Sequence, residues 1–146
     1  MHITYKGDYA LKAVLDLAIN YGRDVITINE MAEHIDAPVK FLEQVLLELK
    51  KGGFVESRRG KVGGYLLSRP PDKLTVGEVI RFIDGPIEPI ACARHGYTNC
   101  GDLYKCAFRK IWQDVTQATA NIIDNVTFEK LVFEVNAKQN APAYFI

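Results

Sequence analysis

The sequence predicts a mainly α-helical fold carrying one small β-hairpin. Three observations predict it. Apolar residues recur at spacings of three and four along most of the 146-residue chain, the stripe expected of amphipathic helices. Two short β-prone runs flank a glycine-rich tip near residue 61. Thr and Glu stand three positions apart at Thr27–Glu30 and at Thr75–Glu78, the signature of a capped helix start.

Taken in order, Lys6 to Tyr21 places Tyr9, Ala10, Ala13, Val14, Leu17, Ala18 and Tyr21 on one helical face, and Gly22 stands where that helix would stop. Thr27-Ile28-Asn29-Glu30 has the form of a capping box, which opens a short helix through Ile35. Asp36-Ala37 reads as a tight turn. Pro38 suits the first position of the next helix, because its missing N–H would be unpaired there in any case. Val39, Leu42, Val45, Leu46 and Leu49 continue as one apolar face, and Gly52-Gly53 ends it. Two short helices joined by such a turn match the helix-turn-helix pattern.

Phe54–Arg58 and Tyr65–Ser68 then read as strands, with Arg59-Gly60-Lys61-Val62-Gly63-Gly64 as the tip between them. A hairpin in that place makes the predicted fold a winged helix-turn-helix. Glycines let a tip bring its backbone close to phosphates, while Arg58, Arg59 and Lys61 supply charge suited to a narrow minor groove. The formal net charge of the whole chain is zero, which argues against general affinity for nucleic acid. Its distribution argues otherwise. Residues 38–73 hold eight basic side chains (Lys40, Lys50, Lys51, Arg58, Arg59, Lys61, Arg69, Lys73) against four acidic ones, a local net of +4. A basic stretch inside a neutral chain is the footprint of a local surface for double-stranded DNA.

Pro70-Pro71 breaks the chain, and Thr75-Val76-Gly77-Glu78 begins a helix through about Ile83 that Gly85-Pro86 ends. A loop of roughly twenty residues follows, and loops of that length inside compact domains are usually functional or disordered. From Leu103 to Asn125, residues Ala107, Ile111, Trp112, Val115, Ala118, Thr119, Ile122 and Ile123 sustain a helical stripe of about six turns. One subunit would struggle to cover that face, so dimerisation through it is the preferred reading. Thr127 caps a final short helix, Phe128 to Val135, and Ala141–Ile146 is an apolar tail. The expected organisation is a winged helix-turn-helix domain at 1–84, a cysteine loop acting as sensor at 85–106, and a dimerisation helix with its tail at 107–146.

A content of 48% hydrophobic and 25% charged residues suits one globular domain. No apolar run is long enough to cross a bilayer, and Met1–Lys6 lacks the apolar core of a signal peptide. The expectation is a cytoplasmic protein with no membrane partner.

Cys92, Cys100 and Cys106 fall within fifteen consecutive residues, and the rest of the chain has no cysteine. Such clustering implies a site rather than scattered core thiols. An odd count does not make a disulfide framework, and gaps of seven and five residues do not fit the tight C-x-x-C pairs of common zinc modules. Thiolates are soft ligands suited to iron-sulfur clusters or zinc, and either normally takes a fourth ligand. His95 and Asp102 are candidates within the loop, and Asp8 is another if the N-terminal helix of a second subunit lies alongside. A metal-free thiol redox switch is the other reading. Catalysis is not expected. His2, His34 and His95 have no orienting carboxylate in a recognisable motif, and the glycines around Gly60 and Gly63 do not form a phosphate-loop pattern.

The run Leu49-Lys-Lys-Gly-Gly-Phe-Val-Glu-Ser-Arg-Arg-Gly-Lys-Val-Gly-Gly-Tyr-Leu-Leu-Ser-Arg69 resembles the wing signature of the Rrf-two family of winged-helix transcriptional regulators. The resemblance extends from Lys6-Gly7-Asp8-Tyr9-Ala10 through Phe41-Leu42-Glu43-Gln44, Val76-Gly77-Glu78-Val79-Ile80 and Asp84-Gly85-Pro86 to Asn125-Val126-Thr127-Phe128. It implies a homodimeric repressor crossed by the long C-terminal helix, with the recognition helix in the major groove and the wing in the minor groove of a palindromic operator. On that resemblance Lys40, Glu43 and Gln44 face bases, and Arg59 is the groove-inserting wing arginine. Glu43 would act as a filter, since a carboxylate accepts from cytosine N4 but repels phosphate.

The same resemblance makes Cys92, Cys100 and Cys106 ligands of an iron-sulfur cluster, 2Fe-2S ahead of 4Fe-4S, that senses iron-sulfur, redox or nitric oxide status. Two departures stand out. The first gap is longer than usual in the family, and Arg109 occupies the position, three after the last cysteine, where some members place a histidine ligand. Asp8 matches the carboxylate that other members contribute from the opposite subunit, which makes it the first choice for fourth ligand. Gly85-Pro86-Ile87-Glu88-Pro89-Ile90 and the aromatic tail resemble members that carry no cluster and control cysteine metabolism. The alternative they imply is a cluster-free regulator of cysteine and sulfur metabolism, gated by thiol oxidation or by a partner enzyme.

Overall fold

A computed structural model describes residues 2–141. Six α-helices and one antiparallel hairpin follow in the order α1 (Tyr5–Ile19), α2 (Ile28–Ile35), α3 (Val39–Lys51), β1 (Val55–Arg58), β2 (Gly64–Leu67), α4 (Val76–Asp84), α5 (Arg109–Ile123) and α6 (Phe128–Gln139). Short 3-10 turns at Pro71–Lys73 and Ala91–Ala93 precede α4 and lie in the cysteine loop.

Local chemistry accounts for most helix starts. Thr27 and Thr75 form complete capping boxes, each accepting from the amide three residues on while Glu30 or Glu78 accepts from the threonine's own amide. Thr127 accepts from the Lys130 amide and opens α6. α1 is also capped, by Thr4, whose side chain accepts from the Gly7 amide. Asp84 at the end of α4 then receives the Thr4 amide at 2.9 Å and the Thr4 hydroxyl, which pins the first helix to the fourth. Gly7 is a packing requirement of that link, since a Cβ there would stand 2.3 Å from Asp84 Oδ2.

The core gathers around α1, which packs on α2, α3, α4, α6 and β2. Its Ala10, Ala13, Val14 and Leu17 meet Met31 of α2, Leu42, Val45, Leu46 and Leu49 of α3, Val79 and Ile83 of α4, and Phe128 of α6. Small side chains on α1 are what allow so many elements to approach one helix. β1 and β2 pair in the register Val55↔Leu67 to Arg58↔Gly64, and Ile26 adds a bridge to Tyr65, with amide-to-carbonyl distances of 3.0 and 2.8 Å. The hairpin is thereby sewn to the segment just before α2.

Several expected boundaries move. Pro38 lies just outside α3 as its N-cap, with an extended ψ of 131°, and the helix proper begins at Val39. α6 continues past Val135 to Gln139, through Ala137, Lys138 and Gln139, which favour helix. The largest correction concerns α5, which opens at Arg109 rather than Leu103 and closes at Ile123 rather than Asn125. Before it the chain coils into turns, where the Lys105 and Cys106 amides both donate to the Asp102 carbonyl. Residues 104–108 are exposed, so no packing supports a further helical turn there. The apolar tail expected at Ala141–Ile146 lies, beyond Ala141, outside the described residues.

Candidate nucleic-acid interface

α2 and α3 are set by a turn in which Asp36 takes the left-handed conformation (φ 50°) and the Ala37 amide donates to the Ala32 carbonyl. Aspartate tolerates that conformation better than most residues. Leu42, Val45, Leu46 and Leu49 on one side of α3 are fully buried, which turns Lys40, Glu43, Gln44 and Leu47 outward as an exposed stripe. Three of these four were expected from sequence. Leu47 joins them because it lies off the apolar face formed by Val39, Leu42, Val45, Leu46 and Leu49.

The wing presents Arg58, Arg59 and Lys61 to solvent. Together with Thr27, Ile28 and Asn29 at the start of α2, these three cations line a cleft between hairpin and helix. The eight basic residues of the 38–73 stretch divide into two groups. Arg69 reaches Glu78 at 3.4 Å and stacks over the Phe54 ring at 5.7 Å, Lys73 pairs with Asp72 at 3.5 Å, and Lys50 donates to Ser57 Oγ at 2.6 Å. Lys40, Lys51, Arg58, Arg59 and Lys61 make no ion pair among the described residues, and all five are exposed. Their charge is available to an outside polyanion.

The cysteine loop is anchored at two places. Arg94 binds Glu88 through Nε at 3.1 Å and through its terminal nitrogen, and Arg109 Nε donates to the Cys92 carbonyl at 3.4 Å. Arg109, three positions after the last cysteine, thus has a structural task within the loop. Cys92 is half-buried in the Ala91–Ala93 turn, whereas Cys100, Cys106, His95 and Asp102 are exposed. Asp8 sits on α1, paired with Lys12 at 2.6 Å, and lines a mostly apolar hollow with Ile3, Tyr5 and Leu11. The thiols suit a soft metal by chemistry. Their positions do not yet make a ligand set: among the described residues no three Cys, His, Asp or Glu side chains stand together so as to hold a metal ion.

One polar pair has no sign in the sequence pattern. Asp16 is 7% exposed, and His34 Nδ1 lies 2.9 and 3.0 Å from its two carboxylate oxygens. Burial pushes the Asp16 carboxyl up from the usual aspartate range, and the hydrogen bond and charge of His34 pull it partly back. The pair ties α2 to α1 and so steadies the first helix of the helix-turn-helix unit.

An outward helical stripe beside a cationic hairpin, both held on one packed core, defines a winged helix-turn-helix protein. Comparison with known proteins places it further: the chain belongs to the Rrf2 family, described as an iron-dependent transcriptional regulator, which it matches over residues 3–134. It is 41% identical to an rrf2-like HTH-type regulator of Rhodobacter capsulatus over 89% of this chain and 91% of that protein. It is 34% identical to the HTH-type transcriptional regulator IscR of Klebsiella pneumoniae, over 90% of this chain and 80% of the relative. Among solved structures, CymR, the global cysteine regulator of B. subtilis, superposes with a TM-score of 0.78 at 30% identity, covering 92% of this chain and 98% of its own. T. potens IscR superposes with the same TM-score of 0.78 at 26% identity, covering 99% and 95%. These relatives are transcriptional regulators rather than enzymes. No helix among the described residues is long and apolar enough to cross a membrane.

Proposed function

We propose that this chain is a homodimeric, cytoplasmic DNA-binding repressor that lays α3 in the major groove and the wing in the minor groove of a palindromic operator. The observation that carries the proposal is the outward stripe of Lys40, Glu43 and Gln44 beside Arg58, Arg59 and Lys61, with those four cations unpaired among the described residues. Lysine and arginine near phosphate supply affinity, and the α3 polar groups supply choice among bases. Homodimerisation is supported by α5, which buries no residue within one protomer. The test is duplex selection followed by titration at fixed salt. Arg59→Ala should weaken the selected complex by about 1–3 kcal/mol, and an unchanged Kd removes Arg59 from the groove.

For sensing, the proposal is that Cys92, Cys100 and Cys106 hold an iron-sulfur cluster, 2Fe-2S ahead of 4Fe-4S, with Asp8 contributed across the dimer. Such a group, when bound, supplies reactivity toward oxidants and nitric oxide. Support comes from the soft donor set, from the iron dependence in the family's description, and from the loop's place between α4 and α5. The reading requires the 85–106 loop to draw its thiols together. Protein purified without oxygen should contain iron and acid-labile sulfide, and absence of both sinks the cluster. An Asp8→Ala protein with an unaltered cluster spectrum removes Asp8 as ligand.

The second reading, a cluster-free thiol-gated regulator of cysteine metabolism, is favoured by the likeness to a protein described as a global cysteine regulator. It expects metal-free protein whose DNA affinity changes on oxidation of the exposed Cys100 and Cys106.

A further inference from the structure

The outward side of α3 is polar except at one position. Viewed down the axis, Lys40, Glu43, Gln44, Leu47 and Lys51 share an arc of about 100°, from the 3.6-residue repeat. The residues bordering that arc are occupied with the protein itself. Glu48 accepts from Lys6 at 3.2 Å on one border, and Lys50 donates to Ser57 of β1 at 2.6 Å on the other. Leu47 is left near the middle of the arc, 54% exposed. The fully buried leucines of α3 point the opposite way, so Leu47 adds nothing to the core.

An apolar side chain in that place meets one chemical feature of the major groove. Every base-pair edge there is a pattern of donors and acceptors except for the thymine C5-methyl, which an apolar group contacts favourably. Leu47 stands about 10 Å along the axis from Lys40, roughly three base-pair steps away. It is therefore well separated from the base that Lys40 faces. We infer that Leu47 is a specificity-determining residue that reads a thymine methyl, alongside the polar contacts of Lys40, Glu43 and Gln44. The inference rests on the proposal that α3 enters the major groove, and deepens it.

The experiment separates the two. Full-length protein is first used to select binding duplexes from a randomised pool. Failure to enrich any sequence overturns the DNA-reading proposal itself, and this inference with it. In the enriched duplex each thymine is then replaced singly by uracil, which removes the C5-methyl and keeps the pairing edge. Affinities are measured for wild type, Leu47→Ala and Leu47→Met.

At one thymine position per half-site, uracil should weaken the wild type by about fourfold, the value of one buried methyl-sized group. The same replacement should leave Leu47→Ala unchanged. Leu47→Met, which keeps an apolar reach, should retain part of the penalty. Identical uracil profiles for wild type and Leu47→Ala overturn the inference while leaving α3 as the recognition helix. Circular dichroism melts of the three proteins should coincide, because the side chain is outside the core.

Discussion

Helices α1 and α5 are both fifteen residues long, yet α1 buries seven of its residues and α5 buries none. Each carries an apolar stripe at helical spacing, and it is the longer run of the second that the sequence reads as needing cover from another subunit. α1 has its stripe closed by four other helices and the hairpin. α5 touches the body of the protein through α4 and the Ala91–Ala93 turn, and leaves Ile111 and Ile122 half or more exposed. Periodicity, then, reports that a face wants cover but not who supplies it. For α1 the cover is intrachain, and for α5 the proposed dimer would supply it.

The sharpest break of this comparison is Ile122→Asp. Ile122 is 66% exposed, so the substitution should spare the fold of each protomer while abolishing assembly. Sedimentation equilibrium should show the protomer mass at concentrations where wild type is dimeric, and a persistent dimer would remove α5 from the interface. In α1 the matching change acts on the fold. Leu17→Ala, at a site 3% exposed, should cost about 2–5 kcal/mol in urea unfolding through lost burial and a cavity. A loss below that range would mean the neighbouring elements close the gap.

Asp84→Ala should cost about 1–2 kcal/mol, because it removes the acceptor of the Thr4 amide and hydroxyl and a carboxylate near the start of α1. Asp84→Asn, keeping one acceptor oxygen, should recover part of this. Stability equal to wild type would show that Thr4 caps α1 unaided.

The smallest effect concerns Asp16. Its carboxyl is raised by burial, so the protonated form is favoured in the folded state relative to the unfolded chain. Its contribution is therefore fully present below the ordinary aspartate value of 3.8 and is lost as pH rises through the raised folded value. Asp16→Asn does not titrate. The stability of wild type minus that of Asp16→Asn should fall as pH rises above the ordinary aspartate value, then level off. A flat difference across that window would show that His34 fully compensates the burial.

Local signals survived into the structure best. Thr27–Glu30 and Thr75–Glu78 predicted capping boxes that formed, and Asp36-Ala37 predicted a turn that formed, because the groups involved lie within a few residues of each other. The tie from Thr4 to Asp84 has no sign in the sequence, since the two residues stand eighty positions apart. Asp16 and His34 are eighteen positions apart, which no helical repeat would have paired. The sequence places the start of α5 too early because a stripe continues through Ala107 whether or not anything packs on it.

The candidate site divides in the same way. Local composition was enough to mark the 38–73 stretch as basic and to place Arg58, Arg59 and Lys61 on a hairpin, because glycine and β-prone runs act over short range. Which cations are spoken for was settled by packing, which gave Arg69 to Glu78 and Phe54 and Lys50 to Ser57 while leaving Arg59 and Lys40 outward. The sequence by itself determined the helix-turn-helix, the wing and the clustering of the thiols, all carried by neighbours along the chain. Tertiary structure decided that Thr4 meets Asp84, that Asp16 is buried against His34, and that exposed turns before Arg109 leave α5 shorter than its stripe. Burial depends on what the rest of the chain brings alongside, and spacing within one helix does not encode that.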